Sequence, residues 1–248
     1  MRGLIVGIAN EHSLATGCAD AICDMGGSLA LTYLDDKALP HVQPVADRLG
    51  AEFLLPLNVS DEGQMDAVFE RIAQEWGGLD FLIHSIAFAP KADLHGRFMD
   101  CTGEGFGIAM DISCHSLVRL ARRAVPLMRN GGSILTMSFY GSEKVVPGYG
   151  LMGPVKAALE STVRYLANDL GVYEIRVNEL STGPVKTRAA SGLSHFDEQM
   201  RTTAERAPLR SLVTVEQVGE MAAFLLSPKA RFVTGQTIYV DAGFNTTA

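Results

Sequence analysis

With 248 residues, 47% hydrophobic and 20% charged, the chain is long enough to bury a core without disulfides or metal, and its composition excludes a disordered or fibrous protein. A formal charge of −7 argues against a nucleic-acid partner, because binding a phosphate backbone takes clustered Lys and Arg. Cys18, Cys23, Cys101 and Cys114 lack C-x-x-C spacing and read as reduced thiols in a reducing compartment.

Met1 and Arg2 lead straight into a short apolar stretch with no signal-like segment, and no apolar run approaches the roughly 20 residues that span a bilayer. A cytoplasmic protein with no membrane partner is therefore expected. Short apolar runs suited to buried parallel strands fall at Gly3–Ile8, Ser28–Tyr33, Glu52–Leu57, Phe81–His84, Ser133–Met137, Ile175–Leu180 and Gln236–Val240. Helical patterns separate them at Ser13–Met25, Ala38–Leu49, Asp61–Trp76, Glu104–Met128, Gly150–Leu170 and Val215–Leu226, with Ser13 and Ser60 read as N-caps. This alternation predicts an α/β fold: a single Rossmann-type domain over residues 1–248, a doubly wound parallel sheet of about seven strands with helices on both faces. Thr182 to Arg210 breaks the rhythm and has the length of a lid or binding loop.

The first strand runs into Gly7-Ile-Ala-Asn-Glu-His-Ser13, and then a helix begins. A glycine turn lets backbone approach a dinucleotide pyrophosphate, and the helix N-terminus offers unpaired N–H groups and the positive end of its dipole. The spacing is not G-x-G-x-x-G, so this turn alone is equally consistent with a plain strand-to-helix connection. Three further strand ends, Leu34-Asp35, Asn58-Val59 and Ser85-Ile86-Ala87, lie where open parallel sheets bind ligands. Asn58 and Val59 are placed to flank an adenine, and the small Ala87 and Ala89 leave room beside a nicotinamide. Asp35 and Asp36, with no Arg beside them, repel a 2′-phosphate and favour NADH over NADPH; the same two acids also suit a helix start.

After the fifth strand comes Ser138-Phe139-Tyr140, then Tyr149, Met152 and Lys156-Ala-Ala-Leu-Glu160. Tyr149 and Lys156, separated by six residues, resemble the Y-x6-K signature of bacterial NADH-dependent enoyl-acyl carrier protein reductases, within the short-chain dehydrogenases/reductases. The resemblance spans most of the chain: G-x5-S-x-A-x-G from Gly7 to Gly17, His84-Ser-Ile-Ala-Phe-Ala-Pro90, Asp111-Ile-Ser113, Arg164-Tyr-Leu-Ala-Asn168, Arg176-Val-Asn178, Gly183-Pro-Val-Lys-Thr187 and Ala189-Ala-Ser-Gly192 occur in the family's order. Seven helical steps return to within about 20° of the starting face, so a continuous helix would turn Tyr149 and Lys156 toward one cofactor.

The resemblance implies hydride transfer from NADH to the β-carbon of a trans-2-enoyl thioester carried on acyl carrier protein, by a homotetramer. It implies that Tyr149 stabilises the oxyanion and that Lys156 holds the nicotinamide ribose while its charge favours negative charge near the Tyr149 hydroxyl. It carries cofactor contacts onto Gly7, Ala9, Ser13, Leu14, Leu34, Asn58, Val59, Ser85, Ile86, Ala87, Gly183, Pro184, Val185 and Thr187, and substrate contacts onto Ala89 and Met152. A lid over 182–210 would cover the acyl chain. Phe139 stands where many members carry a second Tyr and cannot donate a hydrogen bond; Gly150 and Pro154-Val155 also depart from the commoner residues.

Alternatives remain. Tyr140 and Lys144 form the Y-x3-K spacing of carbonyl-reducing relatives, but Tyr140 lies only two residues after Ser138 at the strand end and reads instead as a loop aromatic packed under the lid. A carbonyl or alcohol oxidoreductase and a catalytically silent NAD-binding paralogue share this fold. The six histidines are dispersed without ligand spacing, so no metal is expected. Arg97, Arg119, Arg122, Arg123, Arg201 and Arg206 are candidates for an acidic carrier protein or simply solvated surface.

Overall fold

Parallel strands covered on both faces need apolar side chains pointing both ways. In β1 (Arg2–Val6), Leu4 and Val6 enter one buried cluster and Ile5 enters the other. The computed structural model describes residues 1–187 and 196–247. Around β1 lie β2 (Ser28–Tyr33), β3 (Phe53–Pro56), β4 (Phe81–His84), β5 (Gly132–Phe139), β6 (Ile175–Thr182) and β7 (Thr237–Val240). All pair in parallel in the order β3-β2-β1-β4-β5-β6-β7, the doubly wound topology expected.

The helices are α1 (Leu14–Asp24), α2 (Leu39–Leu49), α3 (Glu62–Trp76), α4 (Lys91–Leu94), α5 (Gly103–Met110), α6 (Ser116–Ala124), α7 (Met152–Leu170), α8 (Phe196–Arg206) and α9 (Val215–Leu226). α1 and α9 cross where a Cβ on Gly17 would strike the Val215 carbonyl and one on Gly219 would strike that of Gly17. Gly219→Ala is therefore expected to destabilise the fold by about 1–3 kcal/mol through overpacking, read as a lower urea midpoint with unchanged m. Arg176 donates from its guanidinium to the Leu225, Leu226 and Ser227 carbonyls, capping the C-terminal end of α9. Asn178 bridges the Val233 carbonyl and the Gln236 N–H, so the Arg176-Val-Asn178 motif serves the scaffold.

Several boundaries differ from the sequence reading. β1 stops at Val6, because Gly7 adopts φ +110° and turns the chain out of the sheet. Asp61, not Ser60, caps α3: its carboxylate accepts from the Gln64 N–H at 3.1 Å. The helix expected over Glu104–Met128 is α5 and α6 joined by a π turn, Asp111–His115, and followed by a 3₁₀ turn, Val125–Leu127. The helix expected over Gly150–Leu170 starts later: Gly150 is left-handed at φ +47°, and α7 begins at Met152. Pro154 then falls in the first turn of α7, where its missing N–H costs no helical bond. α4 and α8 are additional helices that the apolar pattern did not reveal.

Candidate active site

Since every strand runs the same way, the carboxyl ends of all seven share one edge of the sheet. Gly7, Leu34, Asn58, Ser85 and Gly183 each follow directly or closely on a strand at that edge, and Phe139 is the last residue of β5. A Cβ on Gly7 would overlap the Ser85 carbonyl, so the β1 and β4 ends touch there and tolerate only glycine. Ser13 occupies the N-cap position of α1, but its hydroxyl faces back, accepting from the Ala9 N–H at 3.0 Å and the Asn10 N–H at 3.1 Å. That bond shapes the turn and leaves the first helical N–H groups without a Ser13 side-chain cap.

Asp35 accepts from the Lys37 and Ala38 N–H groups at 3.0 and 2.9 Å, so it does start the α2 approach while keeping an anionic side chain at the β2 end. Asn58 is likewise engaged locally: its side-chain oxygen accepts from the Ser60 N–H at 3.0 Å. Arg119 donates to the Val59 carbonyl at 2.8 Å and fixes that segment from α6. At the β4 end, Ser113 of the π turn accepts from the Phe88 N–H at 2.8 Å and donates to the Phe88 carbonyl at 2.9 Å. The π turn thereby secures the loop bearing Ser85, Ile86, Ala87 and Ala89, a function that apolar periodicity could not disclose.

The centre of the site lies at the end of β5. The Phe139 and Tyr149 rings pack with centroids 4.8 Å apart and a 59° tilt, and Gly141 leaves the space that the Tyr149 ring fills. Lys156 is 5% exposed and its ammonium donates to the Met137 carbonyl at 2.6 Å. Met152 opens α7 and is buried. Tyr149 precedes the helix, so the helical-wheel account of why it faces with Lys156 is corrected. The Met152 N–H donates to the Tyr149 carbonyl at 3.0 Å in a turn pivoting on Gly150, and that turn, not a helix face, leads from Tyr149 into α7.

Burial pushes the Tyr149 phenol well above its ordinary range, and the Glu160 charge pushes it further. Tyr149 is thus a hydrogen-bond donor throughout the neutral range. Burial lowers the Lys156 ammonium to about 8, opposed chiefly by Glu179 and less by Cys114 and Glu160. Beside them Ser138 donates to Glu160 at 2.6 Å, and Glu179 accepts from Thr237 at 2.6 Å. Glu179 escaped the sequence reading; the available signal was a carboxyl on the face of β6 that otherwise carries Ile175 and Val177.

The alternative pair separates. Tyr140 is buried with its ring 5.7 Å from that of Phe244 in the C-terminal turn, over whose ring the Arg206 guanidinium of the expected lid segment also lies, while Lys144 is exposed. Pro184 is buried and Val185 half-buried beyond β6; Thr187 donates its N–H to the Val185 carbonyl at 2.8 Å. Part of the expected lid, including Ala189-Ala-Ser-Gly192, lies outside the described residues. Most of the candidate basic surface is engaged within the chain: Arg97 with Asp100, Arg119 with Asp111, Arg123 with Glu62 and Asp66, Arg201 with Glu205, and Arg206 with the Thr247 carbonyl. Among the described residues there is no cluster of three or more His, Cys, Asp or Glu able to hold a metal, and no helix long and apolar enough to cross a membrane.

A parallel sheet in this order, with a buried tyrosine and lysine after β5 on the flank of the cofactor crevice, is the construction of the short-chain dehydrogenases/reductases, and that class is what the fold and site define. Residues 7–245 match the family described as enoyl-(acyl carrier protein) reductase, and the chain belongs to it. It is 45% identical to enoyl-[acyl-carrier-protein] reductase [NADH] 2 of Rhizobium meliloti, over 100% of this chain and 92% of that protein. A Synechocystis enoyl-[acyl-carrier-protein] reductase [NADH] is also 45% identical, over 98% and 95%. The crystal structure of the Anaplasma phagocytophilum reductase in complex with NAD superposes with TM-score 0.95 at 47% identity, covering 99% of this chain and 94% of that one. The Bacillus cereus reductase with NADP+ and an indole naphthyridinone gives 0.97 at 42% identity, covering 100% and 97%.

Proposed function

We infer that this chain is an NADH-dependent enoyl-acyl carrier protein reductase acting in the cytoplasm in fatty acid biosynthesis, as one reductase domain over residues 1–248. The observation that carries this reading is the enclosed Tyr149–Lys156 pair at the β5 end, in a chain whose family is defined along nearly its whole length. The residues fit a dinucleotide: the Gly7 turn has no room for a side chain, and the β2 end bears acids that oppose a 2′-phosphate. Gly7, Ala9, Ser13 and Leu14 would hold the pyrophosphate, Leu34, Asn58 and Val59 the adenosine side, and Ser85, Ile86, Ala87, Gly183, Pro184, Val185 and Thr187 the nicotinamide side.

NADH supplies the hydride that adds to the β-carbon of a trans-2-enoyl thioester. Tyr149, protonated and buried, donates to the thioester oxygen as negative charge develops there. Lys156 binds the ribose hydroxyls through its ammonium. Ala89 and Met152 border the acyl chain, and Phe139 supplies an apolar face against Tyr149. Homotetramer formation is supported by β7 being an edge strand and by exposed aromatics on the surface, including Tyr165 on α7 and Phe232 near β7.

The test follows NADH absorbance with crotonyl thioester and with acetoacetyl thioester, using NADPH as the cofactor control. Oxidation with the enoyl substrate is expected; oxidation with the ketone alone would reassign the chain to carbonyl reduction. Lys156→Ala is expected to weaken NADH binding about tenfold or more, the worth of a charged hydrogen bond, as measured by fluorescence titration.

A further inference from the structure

On the sheet face beneath α7, the carboxyl ends of the strands change from apolar to polar. Along the register, Thr136 of β5 pairs with Glu179 of β6 and Glu179 with Thr237 of β7; one step on, Ser138 pairs with Ser181 and Ser181 with Tyr239. Glu179 is fully buried, Lys156 and Glu160 nearly so; Ile175 and Val177, on the same face of β6 as Glu179, pack with Val155 and Leu159 of α7, and Lys156 donates to Met137, whose register partner Leu180 adjoins Glu179, so the three face one low-dielectric compartment. Thr237 satisfies one carboxyl oxygen of Glu179, whereas the other is enclosed and has no hydrogen-bond partner. A buried group of one ammonium and two carboxyls reaches neutrality only if a carboxyl carries a proton.

We propose that Glu179 is a positioning residue for Lys156, a buried carboxyl on β6 that keeps the Lys156 ammonium charged, and so able to bind cofactor ribose, as the solution becomes alkaline. The proposal rests on the assignment of Lys156 to the cofactor. Burial raises Glu179 to about 8, so it holds the neutralising proton at neutral pH and yields it in the same range where Lys156 would otherwise discharge. The resulting carboxylate then opposes loss of the Lys156 proton. The other titratable groups facing this compartment are Glu160 and Arg164 from α7, Cys114 from the π turn, His84 from β4, Tyr149, and Tyr239 of β7 with Glu143 and Asp241 near it. Among them Glu179 exerts the largest charge effect on Lys156.

The experiment measures NADH affinity of the whole enzyme by fluorescence titration from pH 6 to 10. In Glu179→Gln the alkaline fall in affinity is expected to begin about one pH unit lower than in wild type, the usual effect of removing an opposite charge nearby. On the limb this is about a tenfold loss relative to wild type at the same pH. Thr237→Val, which removes the hydrogen bond that lowers Glu179, is expected to move the limb the same way without altering the carboxyl itself. Glu179→Asp, which retains an acid, is expected to return it toward wild type. An unmoved limb in the Gln and Val variants, or equal weakening at every pH, overturns the proposal by making Glu179 merely structural. Wild type that fails to bind NADH at pH 7 removes the underlying cofactor reading and the proposal with it, a result that no variant comparison mimics.

Discussion

Tyr149→Phe is expected to lower kcat for enoyl-thioester reduction by about 10²–10³, the usual loss for one oxyanion donor, while changing NADH affinity by no more than about twofold. The variant deletes one oxygen from a ring already packed against Phe139 and Gly141, so the fold keeps its apolar contacts. Because burial and Glu160 hold the phenol protonated, the lost group is a donor and not a base. The rate should therefore fall without a new acidic limb in its pH profile. Single-turnover NADH oxidation and fluorescence titration separate the two effects. Phe139 offers no second hydroxyl to substitute, which argues for the larger end of the range. Unchanged turnover in Tyr149→Phe, or loss of activity in Tyr140→Phe instead, would transfer the chemistry to the other tyrosine.

The second large effect concerns stability in acid. His84 is fully buried at the end of β4, its Nδ1 2.8 Å from the Thr136 hydroxyl and its Nε2 2.8 Å from that of Ser116. Thr136 also donates to the His84 carbonyl at 3.0 Å and Ser116 to the Ile112 carbonyl at 2.6 Å, so each hydroxyl ties the ring to a neighbouring backbone segment. Burial, reinforced by the Lys156 charge, lowers His84 to about 3. Between an ordinary histidine value near 6.5 and about 3, the unfolded chain binds a proton that the folded chain refuses. The His84 contribution is thus complete above about 6.5 and drains away as pH falls, by about 3 kcal/mol at pH 4.5. Glu179 titrates in the opposite sense. Its raised value makes its own contribution grow on acidification from about 8 toward 4.5, masking His84 in the wild-type curve. The difference between wild type and His84→Gln isolates the histidine: a gap in urea-derived stability at pH 7 should narrow by about 3 kcal/mol at pH 4.5. A gap of constant size would show that His84 titrates normally.

Particular residues show how far the sequence alone reached. Leu4, Ile5 and Val6, apolar in an unbroken run, could only belong to a strand buried on both faces, and repetition of such runs between helical patterns determined the parallel sheet. Gly7 was legible because a tight turn against the Ser85 carbonyl restricts residue type locally, and the Tyr149–Lys156 spacing because it resembles the family's. The Glu104–Met128 helix was legible as helix but not as a π-interrupted one, since the interruption serves Phe88 and His84, residues distant in sequence.

The same distinction governs the active site. The sequence determined the class of fold, the Tyr149–Lys156 spacing that resembles the family's, and the acidic end of β2 that suits NADH. Only the tertiary structure decided how the chain joins them: through a left-handed Gly150 before α7 rather than along a helix face. It alone placed Lys156, Glu160 and Glu179 in one compartment and left His84 neutral. Local pattern records which side chains are apolar and which torsions are allowed. Desolvation and charge coupling depend on what other strands and helices bring within a few ångströms, and that is set by packing between segments far apart in the chain.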